Sequence, residues 1–249
     1  MIIKGFFYKS YNVCKLKLLI KEENKMMTYS ITFQNNSSNA GSACVFQSNP
    51  DIYVPGVMSL AWFAKYAYPT TRILFKWTTE YDFVWSETGE LAPGVLFASS
   101  QIWPADLTEK NKVTLTHQGG AYTFTNQTKG PQQGCLYITE DSTIPLKMAS
   151  VGIGMSGSGT LAVQAQPNMN LTFMPYPEYW ITFGNFIEGE VLDITQITNK
   201  AKITFPPNIY SMAAILNQDN TWTVKPTSQV NSEFLEAKKS DAKVEWGVS

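Results

Sequence analysis

The run Gly152-Ile153-Gly154-Met155-Ser156-Gly157-Ser158-Gly159 is where residue type and spacing first suggest chemistry. Glycine and serine at these intervals could cradle a phosphate, turn under a dinucleotide, or present a nucleophilic hydroxyl. A phosphate cradle needs Gly-x-x-x-x-Gly-Lys-Ser/Thr between a strand and a helix. No Lys follows Gly159, and Thr160–Gln166 alternates as a strand. The dinucleotide fingerprint lacks its helix for the same reason. The nucleophile pattern Gly-x-Ser-x-Gly fails at its last place, which is Ser158. A tight β-turn or bulge remains, with glycines supplying positive φ. Gly154, Ser156 and Gly157 are the backbone candidates for a nest holding a small polar or anionic ligand.

The other titratable candidates are sparse. His117, the chain's one histidine, shares a face with Val113 and Leu115, which places it in the core or at its rim. Nucleophilic catalysis would need it beside Ser or Cys and an orienting carboxylate. Glu80 and Asp82 flank Tyr81, and Glu87 and Glu90 flank a turn. A retaining glycosidase holds two carboxyl groups about 5–5.5 Å apart, but like charges on a solvated face are the plainer reading. Oxygen ligands make calcium the one metal in question. No Asp-x-Asp-x-Asp loop is present, so neither a metal nor a cofactor is expected.

Aromatic residues carry more weight. Trp103-Pro104 and Pro175-Tyr176-Pro177-Glu178-Tyr179-Trp180 place large rings in proline-rich turns. Such rings stack on sugars or sit at a lipid interface. Trp103, Tyr176, Tyr179 and Trp180 are therefore candidate ligand contacts, while Trp62, Trp77 and Trp222 are assigned to the core.

The elements that must position these groups read as strands. Tyr29/Ile31/Phe33, Ile73/Phe75/Trp77, Leu136/Ile138, Leu161/Val163/Ala165 and Tyr179/Ile181/Phe183 alternate with polar residues. Turn signals recur every 8–15 residues, including Gly119-Gly120, Gly184-Asn185 and Asp219-Asn220. Short strands at that spacing predict an all-β fold, a single antiparallel β-sandwich of about 12–15 strands with little helix. The domain is expected over 28–225. A polar tail covers 226–249, with a short helix at 232–239.

Composition excludes several functions. The 249 residues are 44% hydrophobic and only 16% charged, with a net charge of −1. Arg72 is the one arginine, so nucleic acid is not an expected partner. Cys14, Cys44 and Cys135 are odd in number and widely spaced. They read as small buried hydrophobes in a reducing compartment, not as a disulfide framework. The first 27 residues carry +4 and the remainder −5. Lys15, Lys17 and Lys21 interrupt any signal-peptide core. The segment is expected to be an extension outside the fold, with translation starting at Met26 or Met27. Without a secretion signal the expected location is cytoplasmic, with non-classical release as a further route.

In order along the chain, Tyr29–Ser37, Ser59-Leu-Ala-Trp-Phe63, Phe75-Lys-Trp-Thr with Tyr81-Asp-Phe-Val-Trp85, Gly152–Gly159 and Asp219–Val224 resemble the rhizosphere-expressed RhiA protein family of bacteria. The resemblance covers roughly residues 28–224. It implies quorum-regulated expression around plant roots and an abundant soluble protein, and it carries no catalytic residues. The expectation is a non-enzymatic protein acting by binding or self-association in host or rhizosphere interaction. A glycan or other small polar molecule is the expected ligand. The alternatives are a lipid-binding or pore-forming sandwich, with a membrane surface as a less favoured partner, and a glycan-binding module in the strict sense.

Overall fold

The computed structural model describes residues 27–48 and 54–245, without the side chains of 237–245. The N-terminal extension, Met26 and Cys14 lie outside the described residues.

Period-two sequences become strands in three sheets. The first sheet is built on β1 (Thr28–Asn35), flanked by β4 (Arg72–Thr78) and β16 (Ser211–Leu216), with β17 (Trp222–Pro226) outermost. The large central sheet runs in the order β15 (Lys200–Ile203), β13 (Glu178–Gly184), β2 (Gly41–Ser48), β3 (Met58–Ala67), β11 (Ser158–Gln164), β10 (Ser150–Met155), β5 (Tyr81–Ser86) and β6 (Gln101–Ala105). The two-residue β14 (Val191–Leu192) also pairs with β3. The third sheet orders β12 (Asn170–Phe173), β9 (Leu136–Glu140), β7 (Lys112–Gln118) and β8 (Ala121–Thr128).

The all-β, sandwich-like reading holds, with two differences in detail. The described residues form 17 strands, more than the 12–15 expected, because short ladders such as β14 carry no periodic signal of their own. Two ladders are parallel, β1 with β16 and β7 with β9. Each joins segments far apart in sequence or bridged by a hairpin, where local patterning is silent about direction.

Apolar burial explains the layering. Ile31, Phe33, Phe75, Trp77, Met212 and Ala214 of the first sheet pack on Val45, Trp62, Met155 and Ile181 of the central one. Val113, Leu115, Phe124, Leu136 and Ile138 of the third sheet pack on Phe83, Val151, Ile153 and Leu161. Val151, Ile153 and Met155 alternate along one strand, so both small sheets cover the same face of the central sheet. The opposite face is closed by loops: Phe97 and Val191 cover Leu60, Val84 and Ala162, and Leu192 covers Cys44 and Phe46. At about 25 cal/mol for each Å² of apolar surface removed from water, these contacts are the main stabilising term. Trp62 and Trp77 are core residues, as expected, and Trp222 packs partly buried on Phe33.

Helix α1 (Thr227–Glu245) starts earlier and runs longer than the expected 232–239. Ser211 Oγ and Thr227 Oγ1 lie 2.9 Å apart, and Lys225 pairs with Glu233, so the helix is tied to β16 and β17. No helix among the described residues is long and apolar enough to cross a membrane.

Candidate functional site

The glycine run forms the β10–β11 hairpin. Ser156 (φ 53°) and Gly157 (φ 78°) are both left-handed, the geometry of a two-residue hairpin turn that matches strand twist. A bulge sits between Ile153 and Gly154. Glycine at 152 is required by close approach, since a Cβ there would lie 1.9 Å from the Leu161 carbonyl oxygen.

The hairpin tip is held by its neighbours. Ser156 Oγ accepts from Thr78 N–H at 2.8 Å and donates to Thr78 O at 2.9 Å. Asp82 Oδ2 accepts the Gly157 N–H at 2.8 Å. Beside this tip opens a cleft of ≈ 610 Å³, lined by Lys76, Trp77, Glu80, Tyr81, Asp82 and the Ser156-Gly157 turn. The ends of β4, β5 and β6 meet here, with the polar side chains coming from the β4 and β5 segments and apolar Pro104 and Ala105 from β6.

Asp82 is 6% exposed as a residue, and its second carboxylate oxygen, without a hydrogen-bond partner among the described residues, is open to the cleft and not buried. Burial raises its pKa, the Gly157 N–H lowers it, and the neighbouring Glu80 charge raises it. Burial pushes the Tyr81 hydroxyl up to about 12, with Tyr179, Tyr176 and Tyr29 adding to the rise. That hydroxyl reaches the Pro175 carbonyl at 3.4 Å. Tyr176, 67% exposed, follows Pro175 in that loop and is not part of the cleft lining. The Tyr179 hydroxyl is also raised to about 12, by burial, against a lowering contact with Trp77.

A smaller cleft of ≈ 230 Å³ shares Gly157 and continues along Ser158 and Gly159 to Phe97, Ile102 and Glu188. Register places Gly154, Asp82, Pro104 and Gly159, with Val84 and Ile102, on one face of the sheet, while Tyr81 and Ala105 line the larger cleft from the other face beside Met155.

The sequence candidates separate as follows. Ser156 and Gly157 line the cleft, and Gly154 lies in the strand register beneath it. Tyr176 and Tyr179 do not line it: Tyr179 packs on Trp62 and Trp77 in the core, and Tyr176 is an exposed loop residue. Trp103 is not in a turn as expected. It lies in edge strand β6, where a proline is tolerated, and its Nε1 donates to Gln127 Oε1 at 3.1 Å. Its ring packs on the core shared with the third sheet. Trp180 occupies the opposite face from Tyr179, packs with Phe46 and Phe186, and donates to Ser48 Oγ at 2.9 Å. The Lys200 and Lys202 ammonium groups lie 5.8 and 5.9 Å from its ring centroid. Sequence reasoning left Glu80 and Asp82 on a solvated face. Their signal was the Tyr81-flanking spacing, but burial of Asp82 depends on the distant hairpin.

His117 packs on the Tyr122 ring at 4.5 Å, and no hydrogen bond joins its imidazole to a Ser, Cys or carboxylate among the described residues. Nor does any group of three or more His, Cys, Asp or Glu among those residues have metal-holding geometry. Cys44 and Cys135 are free and buried, and burial pushes the Cys44 thiol up.

The family model described as RhiA matches residues 26–227. Protein RhiA of Rhizobium leguminosarum bv. viciae is 38% identical over 201 residues, 80% of this chain and 86% of that protein. No solved structure matches the chain.

Proposed function

This chain belongs to the RhiA family, and from that premise we propose that it acts by binding rather than by catalysis, taking a polyhydroxylated ligand of the glycan class in the Asp82–Gly157 cleft. The observation that carries this reading is the Asp82 carboxylate, with one oxygen tied to the hairpin backbone and the other without a partner in a cleft that also holds Tyr81, Glu80 and Ser156. Sugars offer hydroxyl donors to carboxylates and apolar ring faces to aromatic side chains. A few convergent polar groups beside aromatic walls are the usual composition of such sites. The setting we infer is the cytoplasm of a root-associated bacterium, with quorum-regulated expression and non-classical release as the route to a host.

A printed array of plant and bacterial glycans, probed with the labelled protein, tests the site. Asp82→Asn and Glu80→Gln should lose the bound set, and Trp180→Ala, in the separate cluster with Phe46 and Phe186, should keep it. If the wild type binds nothing on the array, or the two cleft variants bind as it does, the reading fails.

A second reading, a lipid-facing surface, draws on Tyr66 and Tyr68, 58% and 66% exposed and stacked edge to face at 5.2 Å. Amphipathic rings of this kind settle at headgroup level. Co-sedimentation with anionic and zwitterionic liposomes separates the two readings.

A further inference from the structure

The two clefts meet at Gly157. It lines both, and a Cβ built on it meets nothing within 4 Å, so the space above the hairpin tip is open. The strand register puts Asp82, Pro104, Val84, Ile102 and Gly159 on one face of the central sheet, so the smaller cleft continues along that face from the Asp82 side of the larger one. Both ends carry carboxylates, Glu80 and Asp82 in the larger cleft and Glu188 in the smaller, against Lys76 alone. The nine-tenths-buried Asp82, with its free oxygen, marks the larger cleft as the more committed half.

We propose that the clefts are consecutive subsites of one groove, and that the ligand is a linear oligosaccharide without acidic groups that crosses the hairpin tip over Gly157. The inference rests on the polyhydroxy-ligand reading and adds length and charge to it. A single sugar unit occupies the Asp82 end. Further units extend over Gly157 toward Ser158, Phe97 and Glu188. Two subsites on one chain make the second contact intramolecular, which raises affinity with chain length until the groove is filled. Uronate-containing chains meet the carboxylates at both ends and bind more weakly, since like-charge juxtaposition opposes association.

The test uses ladders of linear β-1,4-linked glucans, mannans and xylans from one to six units, with an oligogalacturonate ladder, titrated calorimetrically into the full chain. Gly157→Asn supplies the discriminating variant, because Asn accepts the left-handed φ and keeps the N–H bonded to Asp82. Its side chain projects into the open space between the clefts. For at least one neutral ladder, the tetramer should bind about tenfold or more tighter than the monomer. Gly157→Asn should abolish that advantage, so that the tetramer binds no tighter than the monomer. The oligogalacturonates should bind weakest. Equal affinity at every length, or a length advantage that survives Gly157→Asn, overturns the groove while leaving the single-cleft reading standing. Tightest binding of oligogalacturonates overturns the charge assignment. Absence of binding by every ladder and its monomer overturns the groove and the polyhydroxy reading together.

Discussion

Glu140→Gln should stabilise the protein at alkaline pH and change little at acid pH. Glu140 continues the inward face of Leu136 and Ile138 and is 1% exposed. Its Oε2 accepts the Gln166 N–H at 3.0 Å, and its Oε1 is buried without a partner. Burial raises its pKa from 4.5 to about 7, against the lowering effect of the Gln166 N–H. The unfolded chain releases this proton near pH 4.5, whereas the native state keeps it until about pH 7. Between those values the unfolded state binds fewer protons, so stability falls as pH rises, and the loss is complete above pH 7. At about 1.4 kcal/mol for each pKa unit, the full loss is about 3 kcal/mol. The part falling between pH 5 and pH 8.5 is roughly 2.5 kcal/mol. Glutamine removes the titration and preserves the shape. Urea unfolding of both proteins at pH 5 and pH 8.5 is the assay. Glu140→Gln should gain about 2 to 3 kcal/mol more at the higher pH than at the lower. A difference between the two proteins that is the same at both pH values would refute the buried-carboxyl argument.

Three other outcomes follow from the packing. Gly152→Ala should destabilise by about 2–4 kcal/mol in urea melts, because its Cβ is directed into the β11 backbone at Leu161; wild-type stability would show that the hairpin can shift at no cost. Asn111 is fully buried, donates through Nδ2 to the Gln132 and Cys135 carbonyls, and accepts the Gly130 N–H, so Asn111→Ala should cost about 3 kcal/mol or more by the same measurement. Trp62→Ala should lower stability by about 3–5 kcal/mol and strand the Met155 carbonyl that its Nε1 now reaches at 3.0 Å, visible as a lowered thermal midpoint.

Much of the fold was legible in the chain because alternation is local. Ile31/Phe33, Phe75/Trp77 and Val151/Ile153 each name their own buried face. The Ser156-Gly157 turn was legible as well, since few sequences populate two left-handed residues in a row. Direction and partnership were not. The pairing of Phe33 with Ala214 in a parallel ladder joins residues at opposite ends of the domain, and nothing near either of them encodes it. The aromatic candidates misled for a related reason. Trp103 precedes Pro104 and Trp180 lies three residues after Pro177, but each indole N–H finds an acceptor supplied by a distant strand, Gln127 and Ser48. Asp82 was hidden because a carboxylate in a strand is ordinarily solvated. Its burial arises where the hairpin tip folds over it, a contact 75 residues away in sequence. Glu140 was the one buried charge whose signal lay in plain view, in phase with Leu136 and Ile138.

Backbone amide NMR during titration with a neutral oligosaccharide taken from the array or the ladders tests the central claim most directly. The account predicts that perturbed resonances concentrate at Glu80, Tyr81, Asp82, Ser156 and Gly157, with the amides around Trp180 unmoved. Perturbations centred on Trp180, or spread evenly over the surface, would contradict it.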